Sequence, residues 1–267
     1  MKTLAAYREQ ARESLKNYWW KAMGALIVVS ACTDLPSYLE NLFPTEEAEW
    51  LWIRMILIVA SVLLIPFSLG YPLSILTHAR TNEGNFLKNT YLHTKKIYGK
   101  LMGIVWWMAL IVCAIAAVAG GALYLIGLLP MNEVLEGVLI AVLGIITLLF
   151  IFKVLYGYAV AEFLVHDDPT LKTREALRKS TQMMQGKKLL LLKLYLSILH
   201  WMIYPAFVLG LVCGVYADEL TSLELAHPLL IAIAAILAVI IVTLFVALLP
   251  YCYIATAHFY EDLTVES

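Results

Sequence analysis

Six long apolar runs alternate with short polar connectors along the chain: about Trp19 to Leu35, Leu51 to Thr77, Leu101 to Leu129, Val134 to Val165, Leu189 to Tyr216 and Pro228 to Ala257. Each is long enough, or nearly so, to cross ~30 Å of hydrocarbon, which takes ~20 helical residues. Hydrocarbon offers no partner for a free backbone N–H or C=O, so a spanning segment must be a helix or part of a closed barrel. The runs lack the two-residue alternation of barrel strands. The pattern therefore predicts an all-α polytopic membrane protein. It is a bundle of about six transmembrane helices with amphipathic interfacial helices on the cytoplasmic side.

Composition agrees. The 267 residues are 62% hydrophobic and 15% charged, with a mean hydropathy of +0.81. Soluble domains sit nearer half apolar and about a quarter charged, and a soluble core of this length has no room for so much apolar surface. The formal net charge of −1 gives no signal for nucleic acid.

Charge position says more than charge total. Of the 19 Lys and Arg, five lie up to Lys21, five between Arg80 and Lys100, and six between Lys172 and Lys188. Arg54, Lys153 and Lys193 fall inside apolar runs, and the connectors 36–50, 130–133 and 217–227 carry none. Those connectors and their edges hold Asp34, Glu40, Glu46, Glu47, Glu49, Glu133, Glu136, Asp218, Glu219 and Glu224 instead. The positive-inside rule then predicts both termini and the 78–100 and 166–188 connectors on the cytoplasmic side. A reporter fused after Glu47 should read external and one after Lys179 internal; the reverse result overturns the topology. Trp19, Trp20, Trp50, Trp52, Tyr98, Tyr251 and Tyr253 sit where an aromatic belt is expected. No cleavable signal peptide is predicted, because residues 1–18 are studded with charge and the first apolar run follows only then.

Three basic stretches look alike. Ala11–Asn17 leads through Lys21 into the first run, Phe86–Asn89 leads through Lys95, Lys96 and Lys100 into the third, and Arg174–Lys179 leads through Lys187 and Lys188 into the fifth. In the first, Leu4, Tyr7, Ala11, Leu15 and Tyr18 share a helical face with the charges opposite. In the third, Asp168-Pro169 is expected to supply an N-cap and first-turn proline. Such helices lie flat among headgroups with their cations toward anionic lipid. The expectation is three repeats of interfacial helix plus transmembrane hairpin within one membrane domain, at 4–80, 84–165 and 170–263. Arg8, Arg12, Lys16, Lys95, Lys96, Arg174, Arg178 and Lys187 are the residues expected to meet lipid or a protein partner.

Ionisable residues inside apolar runs are the sharpest chemical feature, since burying a charge in a bilayer is costly. Lys153 and Glu162 lie on the fourth run, Lys193 and His200 on the fifth. These runs are antiparallel, so Glu162 and Lys193 fall at matched depth roughly 6–9 Å from their connector, and Lys153 and His200 at roughly 20 Å. They define a candidate polar seam, set against plain snorkelling of Lys153 to the interface. His166-Asp167-Asp168 reads as a solvated, helix-capping turn. Pro66, Gly70 and Pro72 offer a kink in the second run, Arg54 a cation reaching the external headgroups, and Gly120-Gly121 a close helix crossing. Cys32, Cys113, Cys213 and Cys252 form no paired motif and read as small buried hydrophobes. No metal-ligand spacing, phosphate loop, dinucleotide fingerprint or nucleophile elbow occurs, so no cofactor is expected.

The segment Glu162-Phe163-Leu164-Val165-His166-Asp167-Asp168-Pro169, with Arg174 to Ser180, Met183 to Lys187, Leu196 to Trp201, Pro250-Tyr251 and Phe259 to Leu263, resembles the bacterial integral-membrane family known as domain-of-unknown-function family 975. The resemblance covers most of the chain. It implies a bacterial inner-membrane or plasma-membrane protein and carries no established activity, ligand or catalytic residue. His200 departs from the glycine that the family pattern tends to place before the tryptophan.

Two functional classes lead, with an intramembrane enzyme of unfamiliar chemistry as a third. The first is a non-enzymatic membrane protein acting at the cytoplasmic leaflet through lipid, anionic headgroups above all, or through a protein partner. The second is a small transporter or channel using the seam of Lys153, Glu162, Lys193 and His200.

Overall fold

The sixth apolar run shows how the chain divides its surface. Across Ile236, Val239, Ile240, Val242 and Phe245 the large side chains are exposed, whereas from Ile254 to Leu263, where polar residues appear, most are buried. A protein surrounded by water would bury the first stretch and leave the second wet. Hydrocarbon reverses the preference, and the chain packs where it leaves the lipid.

The structure, a computed structural model, describes residues 2–43, 50–129, 132–215 and 228–266. Glu46, Glu47, Glu49, Asp218, Glu219 and Glu224 lie outside the described residues, as do the side chains of Glu133 and Cys213. All regular structure in the described residues is helical: α1 (Leu4–Leu15), α2 (Trp19–Glu40), α3 (Leu51–Thr81), α4 (Phe86–Gly127), α5 (Glu133–Gly157), α6 (Ala161–Asp167), α7 (Thr173–Met183), α8 (Lys188–Leu199), a 3₁₀ turn at His200–Met202, α9 (Ile203–Val215) and α10 (Pro228–Glu266). Six segments are long and apolar enough to cross a membrane: Trp19–Glu40, Leu51–Thr81, Phe86–Gly127, Val134–Asp167, Lys188–Leu211 and Ala232–Val265. This is the all-α, multi-pass architecture that the pattern of apolar runs predicts.

Two compact units form. The first comprises Met1–Cys32, Ser74–Asn89 and Leu190–Glu266. Here Thr3 caps α1 by accepting the Ala6 N–H at 3.3 Å, and Tyr7, Ala11 and Leu15 bury one side of α1 against α10. Tyr7 packs its ring 5.8 Å from that of Phe259 and donates its hydroxyl to Asp262 at 2.8 Å. The second unit comprises Thr33–Leu73 and Thr90–Leu189. In it Gly70 of α3 meets α4 so closely that a Cβ there would fall 1.8 Å from Thr94 Oγ1. Arg54 pairs with Glu40 at 3.1 Å, and α7 docks on α6 and α5 through Ala176, Leu177 and Ser180, whose hydroxyl donates to the Gly157 carbonyl at 2.8 Å.

The structure corrects several local expectations. α3 is continuous through Pro66 and Pro72, in keeping with prolines that a spanning helix absorbs and does not break at. The fourth run instead breaks at Tyr158–Val160, and the fifth tightens to a 3₁₀ turn at His200, positions that hold no proline. Gly120 and Gly121 face open space; the close approach is made by Gly70. Asp168 does not cap α7. Its carboxylate accepts both the N–H and the hydroxyl of Thr170 in a turn before the helix, which holds its pKa below the usual range, and the N-cap is Lys172, whose N–H donates to Glu175. An Asx turn competes with a cap for the same oxygens, and here the turn wins. Cys32 and Cys113 are exposed on apolar surface, while Cys252 is buried.

One local pattern recurs three times. Tyr7, Ala11 and Leu15 are buried at four-residue intervals, as are Phe86, Thr90 and Thr94, and Ala176, Ser180 and Met184. Each trio is followed within three residues by a backbone break: the turn at Lys16–Tyr18, the non-helical Ile97 (φ −123°, ψ 21°), and the turn at Met184–Lys187. The last of these turns passes through Gly186 at φ +71°, a left-handed position suited to glycine at a helix end. The next helical stretch begins twelve residues after the first buried member, at Trp19, Tyr98 and Lys188.

Candidate functional site

In the first unit, burial of Tyr7, Ala11 and Leu15 leaves Arg8 and Arg12 on the adjoining face of α1, one turn apart. Beneath them lies a cavity of about 420 Å³. Its remaining walls come from the end of α8, the 3₁₀ turn and α10, with Ser197, His200 and Tyr251 as polar members and Ile198, Trp201 and Leu248 as apolar ones. Glu9 is the only carboxylate on the lining among the described residues.

The hydrogen-bond accounting limits what the cavity offers. The Tyr251 hydroxyl donates to the Arg8 carbonyl, the Ser197 hydroxyl to the Leu194 carbonyl at 2.8 Å, and His200 Nδ1 to the Ser197 carbonyl at 2.8 Å. Those three protons are committed. The Arg8 and Arg12 guanidinium groups have no ion pair among the described residues, so they supply the uncommitted donors. A guanidinium presents a planar fork of N–H groups that fits a carboxylate or phosphate.

A second polar knot fixes the other side of α1. His78, 2% exposed, sets Nε2 against the Ser14 carbonyl at 3.0 Å and Nδ1 against the Glu83 carbonyl at 2.9 Å. Carbonyl oxygens only accept, so the ring nitrogen that carries the proton donates, and the tautomer decides which of the two carbonyls it serves. Rings of Tyr18 and Phe86 flank the imidazole, with centroids 4.9 and 5.0 Å away. The Ser14 hydroxyl meets His258 Nε2 at 3.0 Å, Arg80 pairs with Glu261 at 2.6 Å, and Lys2 with Asp262 at 3.0 Å. Together these tie the ends of α3 and α10 to α1.

Two further basic hollows share the chemistry of the first. One, of about 520 Å³ in the first unit, sets Lys21 and Lys88 around Ala25, Val28 and Phe86. The other, of about 480 Å³ in the second unit, sets Arg174 and Arg178 beside Trp107, Ile111 and Tyr158. There the Arg174 guanidinium lies 4.1 Å over the Trp107 ring, a cation–π contact that holds it in place while leaving its edge open to an anion.

Residues 1–267 match the family described as "Protein of unknown function (DUF975)". The chain belongs to this family. DUF975 brings a family identity and no activity, and neither a curated protein nor a solved structure matches the chain.

Within this DUF975 chain the predicted residues fall as follows. Lys153 and the half-buried Glu162 belong to the second unit, and Lys193 and His200 to the first, so each predicted pair divides between two units. Lys153 is exposed, with its ammonium 5.9 Å from the Phe150 ring, and its carbonyl accepts from Lys188 at 2.7 Å. Lys193 is exposed as well. Arg12, Lys16, Lys95, Lys96, Arg174 and Arg178 are exposed, and Arg8 and Lys187 are half-buried. Ser197, Trp201, Leu248 and Tyr251 were not legible as site residues, because a wall residue of an apolar helix has no local signal until a neighbour is placed against it. His93 Nδ1 and His166 Nε2 stand 3.0 Å apart, yet among the described residues no group of three metal-ligating side chains forms.

Proposed function

We propose that the protein is a non-enzymatic membrane protein of the bacterial cell membrane, with both termini cytoplasmic. It acts at the cytoplasmic leaflet by engaging anionic lipid through three repeats of a basic interfacial helix followed by a transmembrane hairpin. The observation that carries this reading is the threefold recurrence of a buried trio, a backbone break and the start of an apolar helix. Each trio anchors a short cationic helix at the end of a span, where Arg8, Arg12 and Arg178 stay outside any ion pair among the described residues. An anionic surface attracts each such cation by about 1 kcal/mol, and a helix that is already docked spends little conformational entropy in presenting it. The segregation of cations supports the orientation.

The test is native mass spectrometry of the full chain released from nanodiscs containing equal phosphatidylglycerol and phosphatidylethanolamine. Retained lipid should be enriched in the anionic species by at least about tenfold, the factor that ~1.4 kcal/mol provides. Equal retention of the two lipids rejects the reading.

A further inference from the structure

We propose that the cavity beneath Arg8 and Arg12 is a specific site for the phosphodiester of an anionic glycerophospholipid. The acyl chains would lie along the exposed apolar face that leaves the cavity through Trp201. This rests on the leaflet-acting reading above and assigns one lipid class to one site.

Four observations converge. First, donor chemistry selects an oxyanion. Ser197, Tyr251 and His200 Nδ1 have each given their proton to a backbone carbonyl, leaving two guanidinium forks one helical turn apart. Two forks at that spacing suit a tetrahedral anion with several acceptor oxygens better than a lone carboxylate.

Second, the charges select a monoanion. Arg8 and Arg12 against Glu9 leave one net positive charge on the lining, with Lys2 and Lys16 absent from it. A phosphodiester carries one negative charge, whereas a phosphomonoester carries up to two near neutral pH. Third, size selects a headgroup. About 420 Å³ falls at the lower end of ligand pockets, which run about 300–1,000 Å³. It holds a phosphate with its glycerol and leaves the chains outside.

Fourth, an apolar exit is present. Ile198 and Leu248 line the cavity, and Trp201 (62% exposed), Tyr204 and Phe207 (66% exposed) continue from it along the 3₁₀ turn and α9. A soluble phosphate has no use for that face. An indole at the boundary of wet and apolar surroundings suits the glycerol level of a lipid.

The experiment compares wild type, R8Q/R12Q, L248W and R174Q/R178Q in the same mixed nanodiscs by native mass spectrometry, with thermal unfolding of each to verify the fold. L248W narrows the cavity while keeping both arginines, so it stands in if R8Q/R12Q does not fold. Wild type should retain a phosphatidylglycerol that R8Q/R12Q and L248W lose by at least about tenfold and that R174Q/R178Q keeps. If wild type favours anionic lipid but R8Q/R12Q or L248W retains it equally, this site is wrong and the leaflet reading stands. If wild type shows no anionic preference, the leaflet reading falls and the site with it. A parallel arm adds millimolar inorganic phosphate or glycerol phosphate. Displacement of the lipid by either at wild-type arginines would show a soluble-phosphate site and overturn the lipid assignment; persistence of the lipid upholds it.

Discussion

His78→Ala should cost the first unit about 1–3 kcal/mol, the penalty for a buried carbonyl left without its donor. The side chain is the only one that reaches both the Ser14 and Glu83 carbonyls in the described residues, and at 2% exposure no bulk water replaces it. The change also removes the ring between Tyr18 and Phe86, so the loss includes packing as well as hydrogen bonds. Because Ser14 continues to His258, α1 should loosen from α10 before the spans themselves unfold. Hydrogen exchange should show it: Leu4–Leu15 amides lose protection first, while the interior of α10 keeps its own. His78→Gln, which retains a single donor group, should recover part of the loss. Unchanged protection of α1 in the alanine variant would mean that His78 does not hold this end together.

Gly70→Ala should destabilise the second unit by about 1–3 kcal/mol, the usual range for forcing an extra methyl into a packed contact. The added Cβ would stand 1.8 Å from Thr94 Oγ1 and 3.1 Å from the Thr90 carbonyl, and the latter belongs to a helix backbone that cannot swing aside. Thr94 is fully buried and its hydroxyl has no hydrogen-bond partner among the described residues. Thr94→Ala alone should therefore be close to neutral, since it deletes an unsatisfied polar atom. The double variant should recover most of the stability lost in Gly70→Ala, because the new methyl then meets only atoms beyond 3 Å. Thermal unfolding in nanodiscs measures the cycle, and the coupling between the two positions is the quantity of interest. Simple additivity would show that this crossing is not where the helices touch.

This cycle also shows why a glycine's neighbours are not legible in the sequence. Adjacent glycines at 120 and 121 look like a crossing point, and a single Gly70 between two prolines looks like part of a kink. Both readings treat a local feature as if it fixed its own environment. Gly70 matters because Thr94, twenty-four residues away, is brought against it; Gly120 and Gly121 meet nothing. Pro66 and Pro72 sit within α3 and leave it continuous, since the missing bonds of a proline can be absorbed by a spanning helix. The breaks at Tyr158–Val160 and His200 fall where the sequence holds no proline.

The apolar runs and the cation distribution were determined by the sequence itself, because lipid imposes both rules one segment at a time. A span needs only enough consecutive apolar residues, and a connector needs only its lysines and arginines. The stripes of α1 and α7 were equally legible, since Tyr7, Ala11 and Leu15 repeat at helical spacing whatever covers them. Tertiary structure alone decided which arginines stay unpaired, where the 3₁₀ turn falls, and that Ser197, Trp201 and Tyr251 wall a cavity beneath Arg8 and Arg12. Those facts depend on residues far apart in the chain, such as Arg8 and Tyr251, 243 positions apart, meeting in one wall. Hydropathy takes no account of such a meeting, because it sums each residue's preference for a solvent and contains no term for which neighbour that residue finds.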